Sequence, residues 1–277
     1  MSASSIPSIT LNDGTTLPQL GFGVFRVPDA DATSAVAAAL AVGYRAIDTA
    51  AYYRNETGTG TAIAEAGVPR DQIQLTTKIW HTDNGYDTAL RAIDQSLANL
   101  KVDYLDLILI HWPAPAHDRY VDTWRALEKA KNDGLARSIG VSNFKQTHLQ
   151  RLLDETGTVP AVNQIELHPR LPQDDLREFN TLHGIATQAW SPLAHGQLID
   201  DPVVTAVAER LNKTTAQILL RWNLDLGNIV ITKSVTPERI TSNLDVFDFE
   251  LDSDDRDQLA VLNTGSRTGP DPDVYGA

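Results

Sequence analysis

The chain has 277 residues, 42% of them hydrophobic and 21% charged, with a formal net charge of −13. It has no cysteine, which excludes disulfides, thiolate catalysis and cysteine-ligated metals. An acidic surface repels phosphate backbones, so no nucleic-acid partner is expected.

The opening MSASSIPSIT lacks a basic start and an apolar run, so a signal peptide is not expected. No stretch approaches the roughly 18 apolar residues of a membrane helix. Together with the missing cysteines, this leads us to expect a cytoplasmic protein without a membrane partner. SITLNDGTTLPQL (8–20) sets two alternating runs around Asn-Asp-Gly, the pattern of a β-hairpin. The candidate strands that follow are LGFGVF (20–25), YRAID (44–48), IQLTTK (73–78), YLDLILIH (104–111), ARSIGVS (136–142), AVNQIE (161–166), IATQAW (185–190) and NIVITKS (228–234). Amphipathic stretches lie between them, including 31–43, 87–100, 120–134 and 215–227. Three of these end in glycine, at Gly43, Gly134 and Gly227, as left-handed helix caps often do.

Eight strand–helix units about 20 to 40 residues apart give the period of a (β/α)8 TIM barrel, with the hairpin at its base. No linker or change of composition divides the chain, so residues 1–277 are expected to form one domain. The alternative is an open doubly wound sheet, which normally carries a three-glycine fingerprint after its first strand. Gly21-Phe22-Gly23 has no third glycine, and Gly58-Thr59-Gly60 has Ile63 in that place.

Catalytic groups of such barrels gather at the C-terminal strand ends. The residues there are Asp48, Lys78, His111, Ser142 with Asn143, Gln164, Trp190 with Ser191, and Lys233 with Ser234. Taken singly, Asp48 could cap a helix, Lys78 could reach to solvent, and His111 could be a satisfied core histidine. The complete series from the second strand to the eighth points to one site at the barrel mouth.

Segments GFGVF (21–25), GYRAIDTAAYYRNE (43–56), TTKIW (76–80), LILIHWP (107–113), RSIGVSNF (137–144), PAVNQIELHP (160–169), AWSPL (189–193) and 231–249 run nearly the length of the chain. In this order the chain resembles the aldo-keto reductases, of the bacterial type that includes 2,5-diketo-D-gluconate reductases. The resemblance implies NADPH-dependent reduction of small dicarbonyls, keto-sugars or aromatic aldehydes, with Tyr53, not Tyr52, as proton donor. Lys78 would lower the Tyr53 pKa, Asp48 would neutralise Lys78, and His111 would orient the carbonyl oxygen. Tyr52 would face elsewhere, as packing.

By the same resemblance Ser142, Asn143 and Gln164 would hold the carboxamide of the nicotinamide, Trp190 would stack on its ring, and Ser191 would also bind the cofactor. Lys233, Ser234 and Arg239 would cradle the 2′-phosphate, and Asn243 would hold the adenine. Thr236 stands where relatives often carry another arginine, which leaves NADH possible but weaker. Phe25, Trp80, Trp112 and Phe144 would wall the substrate pocket, and the tail RTGPDPDVYGA (267–277) would fold over it. A monomer with no metal is expected. Two other readings share the barrel: a cofactor-binding regulatory protein, and a Schiff-base aldolase using Lys78.

Overall fold

The structure, a computed structural model, describes residues 6–276; residues 1–5 and Ala277, which the one-domain expectation includes, lie outside the described residues. The chain begins with the expected hairpin, β1 (Ser8–Thr10) and β2 (Thr16–Pro18). Leu11 and Leu17 of this unit pack with Ala46, Leu107, Leu109, Val162 and Ile229, which fill the lower interior of the sheet. Asn12 Nδ2 donates to Pro160 O at 3.0 Å, and Lys131 pairs with Asp13 at 2.6 Å. The hairpin thereby closes the base.

Eight parallel strands follow. They are β3 (Leu20–Gly23), β4 (Ala46–Asp48), β5 (Gln74–Ile79), β6 (Leu105–Ile110), β7 (Ala136–Ser142), β8 (Val162–Glu166), β9 (Ala186–Trp190) and β10 (Ile229–Thr232). Helices α1 (Asp29–Val42), α2 (Glu56–Glu65), α3 (Tyr86–Leu100), α4 (Tyr120–Asn132), α5 (Gln146–Thr156) and α6 (Asp174–Leu182) follow β3 to β8 in turn. Two helices, α7 (Pro202–Leu211) and α8 (Thr215–Asp225), connect β9 to β10. Helices α9 (Pro237–Ser242) and α10 (Ser253–Ala260) complete the ring. Gly43, Gly134 and Gly227 all have positive φ, as their cap positions predicted.

The sheet is closed, because β10 pairs with β3 in the register Val230 to Leu20 and Ile231 to Gly21. That contact rules out the open sheet. It also explains the first glycine pair: a Cβ on Gly21 or Gly23 would stand 2.8 or 2.7 Å from Ile231 side-chain carbons. The second pair serves helix packing. A Cβ on Gly58 or Gly60 would strike the Asp29 or Leu100 carbonyl oxygen. Neither pair is part of a dinucleotide fingerprint.

Several strands are shorter than their apolar runs suggested. Phe25 lies beyond β3, while Lys233 and Ser234 lie beyond β10. These residues are therefore on loops at the C-terminal rim.

Candidate active site

Asp48 ends β4, Lys78 lies one residue before the end of β5, and His111 follows β6. The fold buries all three side chains at one point. Lys78 Nζ donates to Asp48 Oδ1 at 2.6 Å and to Thr49 O at 2.9 Å, and lies 3.4 Å from the Tyr53 hydroxyl. Three partners for one ammonium offset much of the cost of taking it out of water.

Tyr53 is carried by a single 3-10 turn, Ala51–Tyr53. The next residues brace that turn. Asn55 Nδ2 donates to Val24 O and Val27 O at 2.8 Å each, and its Oδ1 accepts from Thr49 at 2.8 Å. Glu56 accepts from Thr77 at 2.7 Å and from Asn99 at 3.0 Å. Asn55 and Glu56 thus form a buried frame that joins the ends of β3 and β4 to β5 and α3, while Arg54 between them and the tyrosines is exposed.

Burial, followed by the charge of Asp48, raises the Tyr53 pKa well above 10. The net direction is thus upward, opposite to the lowering expected from Lys78 alone. The ammonium is engaged by Asp48, so in the resting site burial outweighs it and the phenol stays protonated. Burial also holds the Lys78 ammonium below the usual lysine range, against the pull of Asp48. His111 is pushed far below 6.5 by burial, then by the charges of Lys78 and His81, so its ring is neutral. Its Nδ1 is buried and has no partner among the described residues.

Around this cluster, Ser142 Oγ donates to Gln164 O at 2.8 Å. Asn143, held at φ 62°, donates to His111 O and to Ser142 Oγ and accepts from Trp190 Nε1 at 2.8 Å. Ser191 has φ 51° and its Oγ lies 3.2 Å from His195 Nε2. Asn243 is buried and donates to Thr232 Oγ1 at 3.0 Å. Ser234 Oγ accepts from Thr236 N at 3.1 Å, so Thr236 helps shape the turn into α9.

Lys233 and Arg239 are exposed and form no ion pair among the described residues. Lys233 lines a cleft of about 440 Å³ together with Arg26, Asp31 and Ser34 of the β3–α1 side. Arg26 is a cation that sequence reasoning missed. It follows the first barrel strand, whose end contributed no polar residue to the series. A cleft holding two cations in a chain of net charge −13 suits an anionic ligand.

The mouth is aromatic. Phe25 meets Tyr53 at 5.1 Å between ring centroids, and Trp80 meets His111 at 5.1 Å. Tyr52, 47% exposed, stacks on Trp80 at 3.8 Å. It therefore belongs to the rim and does not face away from the site. Phe144 is the reverse case. It is fully buried against Tyr120 and His148, so it supports the mouth from below and is not a wall.

The tail crosses the rim. Glu166 accepts from Thr268 N at 2.6 Å, from Thr268 Oγ1 at 2.5 Å and from Gly269 N at 3.1 Å, with His168 Nε2 at 3.0 Å. Burial alone would raise the Glu166 pKa, but these hydrogen bonds bring it down to about 2. Lys145 pairs with Asp271 and Asp273 at 2.6 Å each. Tyr275 then settles on Trp112, 4.4 Å between centroids. A cleft of about 560 Å³ between α5, α6 and the tail holds none of the expected site residues.

Among the described residues no group of three or more His, Asp or Glu side chains could hold a metal ion, and no helix is long and apolar enough to cross a membrane. A sequence profile described as "Aldo/keto reductase family" matches residues 18–263. The chain is 59% identical over 269 residues to an aldo-keto reductase of Mycolicibacterium smegmatis, covering 97% of this chain and 98% of that one. It is 49% identical to the glyoxal reductase of Bacillus subtilis, over 99% of each chain. A solved structure of a Gox0644 mutant in complex with NADPH superposes with a TM-score of 0.95 at 44% identity, covering 99% of this chain and 100% of that one.

Proposed function

The chain belongs to the aldo/keto reductase family, and from that premise we propose that it reduces aldehydes or ketones to alcohols with NADPH, Tyr53 giving the proton. NADPH, when bound, supplies the hydride. The observation that carries the reading is Lys78, buried between Asp48 at 2.6 Å and Tyr53 at 3.4 Å beneath an aromatic mouth. As the phenol loses its proton to the substrate oxygen, the ammonium balances the phenolate that forms. The neutral His111 ring orients that oxygen by a hydrogen bond.

The cofactor fits the residues present. Trp190 offers a partly exposed indole for stacking, Gln164 Oε1 has no partner among the described residues, and Arg26 and Lys233, against the single carboxylate of Asp31, leave their cleft net positive and suited to phosphate. The roles of Ser142, Asn143, Gln164, Trp190, Ser191, Lys233, Ser234, Arg239 and Asn243 in binding it are part of this proposal. So are Phe25, Trp80, Trp112 and Tyr52 at the substrate.

The glyoxal reductase relative, together with an aromatic mouth poor in charged anchors, favours small dicarbonyls or aromatic aldehydes. Keto-sugars and a 2,5-diketo-D-gluconate reductase-like subgroup remain within the same reading. We further propose a cytoplasmic monomer of one domain that binds neither nucleic acid nor membrane.

A Schiff-base aldolase would need a free Lys78 amine. Instead Lys78 is fully buried and donates to three oxygens, which argues against it. The deciding experiment follows NADPH oxidation with methylglyoxal, aromatic aldehydes, diketones and keto-sugars. Turnover of at least one class is expected. Tight NADPH binding with no turnover of any would favour the regulatory reading instead.

A further inference from the structure

Gln188 lies in β9 directly across from Gln164 in β8, the two being Cα partners in the parallel ladder. Register partners project to the same face, and here both side chains are buried. Gln164 Nε2 donates at 2.8 Å to Asp48 Oδ2 and at 2.8 Å to Gln188 Oε1.

An amide nitrogen has two hydrogens, and both are taken. The contact with the Asp48 carboxylate identifies the nitrogen, because an amide oxygen facing a carboxylate would leave two acceptors opposed. A single anchor would still let the amide swing about the Asp48 contact. The second anchor, on a neighbouring strand, removes that freedom. The consequence is at the other end of the amide. Gln164 Oε1 accepts from no described residue, while the hydrogens of Ser142 Oγ and Asn143 Nδ2 are engaged elsewhere.

We propose that Gln188 is a positioning residue that holds Gln164 with its carbonyl oxygen free to accept from the carboxamide NH2 of the nicotinamide. It rests on the reading that Gln164 meets that carboxamide. Through Asp48, which takes Lys78 on one oxygen and Gln164 on the other, Gln188 also ties cofactor orientation to the proton-donor cluster. The arrangement selects for the amide group itself, because a methyl ketone at the same ring position offers no hydrogen to Gln164 Oε1.

The test compares NADP+ with its 3-acetylpyridine analogue, in which a methyl replaces the NH2. Dissociation constants are measured by protein fluorescence for wild type, Gln188→Met, Gln188→Asn and Gln188→Glu, each checked for folding by circular dichroism. Wild type should prefer NADP+ by about five- to tenfold, the worth of one net hydrogen bond. Met removes the acceptor and Asn withdraws it by one methylene. Both should lower the preference to about one by weakening NADP+ alone, and either suffices if the other fails to fold. Glu keeps an acceptor oxygen and should restore the preference.

An equal loss for both ligands would indicate packing only and overturn the proposal, as would an unchanged preference in Met or Asn. Wild type that binds NADP+ while the variants match it overturns the Gln188 role alone. Wild type that binds neither ligand overturns the cofactor reading, and this inference with it.

Discussion

Lys78 Nζ stands 2.6 Å from Asp48 Oδ1, the shorter of its two contacts with ionisable groups, and only reaches toward Tyr53 at 3.4 Å. The ammonium belongs to the carboxylate at rest, and the phenol is its second partner. Removing one member of a buried pair costs more than removing both, because the survivor is left charged and unpaired. Asp48→Asn should destabilise the fold by about 3–5 kcal/mol. The double variant with Lys78→Met should lose less than the sum of the singles, read from urea unfolding.

The two adjacent tyrosines separate by kinetics. Tyr53→Phe should lower kcat by several orders of magnitude and leave NADPH affinity nearly unchanged. Tyr52→Phe keeps the ring on Trp80 and should alter kcat/KM by no more than about threefold, under 1 kcal/mol. Tyr52→Ala strips that ring away and should raise KM about two- to tenfold, the scale of one aromatic contact. If Tyr52→Phe matched Tyr53→Phe, the assignment of the proton donor would be wrong.

His111 is neutral in the folded chain, burial being the main cause and Lys78 the next. Reduction should therefore show no ionisation in kcat/KM through the ordinary histidine range near pH 6.5. The stability consequence has a definite sign. Below pH 6.5 the unfolded chain binds a proton at this residue that the folded chain does not, so stability falls as pH drops from 6.5. His111→Asn should flatten that slope in melting temperatures taken between about pH 5 and 7.

Glu166 holds the tail by accepting three donors from Thr268 and Gly269. Its folded pKa of about 2 lies below the ordinary 4.5. The stability it contributes is complete above the unfolded value and is lost as pH falls through that window. Glu166→Ala should release residues 264–276 to limited proteolysis at neutral pH. It should also raise KM for the carbonyl more than it lowers kcat, because Tyr275 loses its seat on Trp112.

Lys233 and Arg239 supply local positive charge against a field of −13. Charge-assisted contacts of this kind are worth about 1.5–3 kcal/mol each. Lys233→Ala and Arg239→Ala should each weaken NADPH by at least about tenfold, less at high salt, with little effect on NADH. Equal losses for both cofactors would remove the phosphate-clamp role.

Much of the site was legible as a series of strand ends. Asp48, Lys78, His111 and Gln164 each stand at or near the last residue of an apolar run, and the barrel brings them together. The hairpin was legible from Asn-Asp-Gly between alternating runs. The alternation did not say how far each strand extends, so Lys233 and Ser234 moved from strand to loop. Nor did it separate Phe144, which turns into the core, from Trp80, which turns to the mouth, because both sit just past a strand where the period of two has ended.

By itself the sequence determined the order of elements, their apolar faces and the type of residue at each strand end, since these follow from local periodicity and turn chemistry. Tertiary structure decided the pairings. Glu166 meets Thr268 across 102 positions of sequence, Gln164 meets Asp48 across 116, and Tyr275 meets Trp112 only once the tail has crossed the rim. Such contacts depend on barrel closure and on loop paths. Desolvation, which keeps Tyr53 protonated and His111 neutral, likewise exists only when the whole barrel surrounds them.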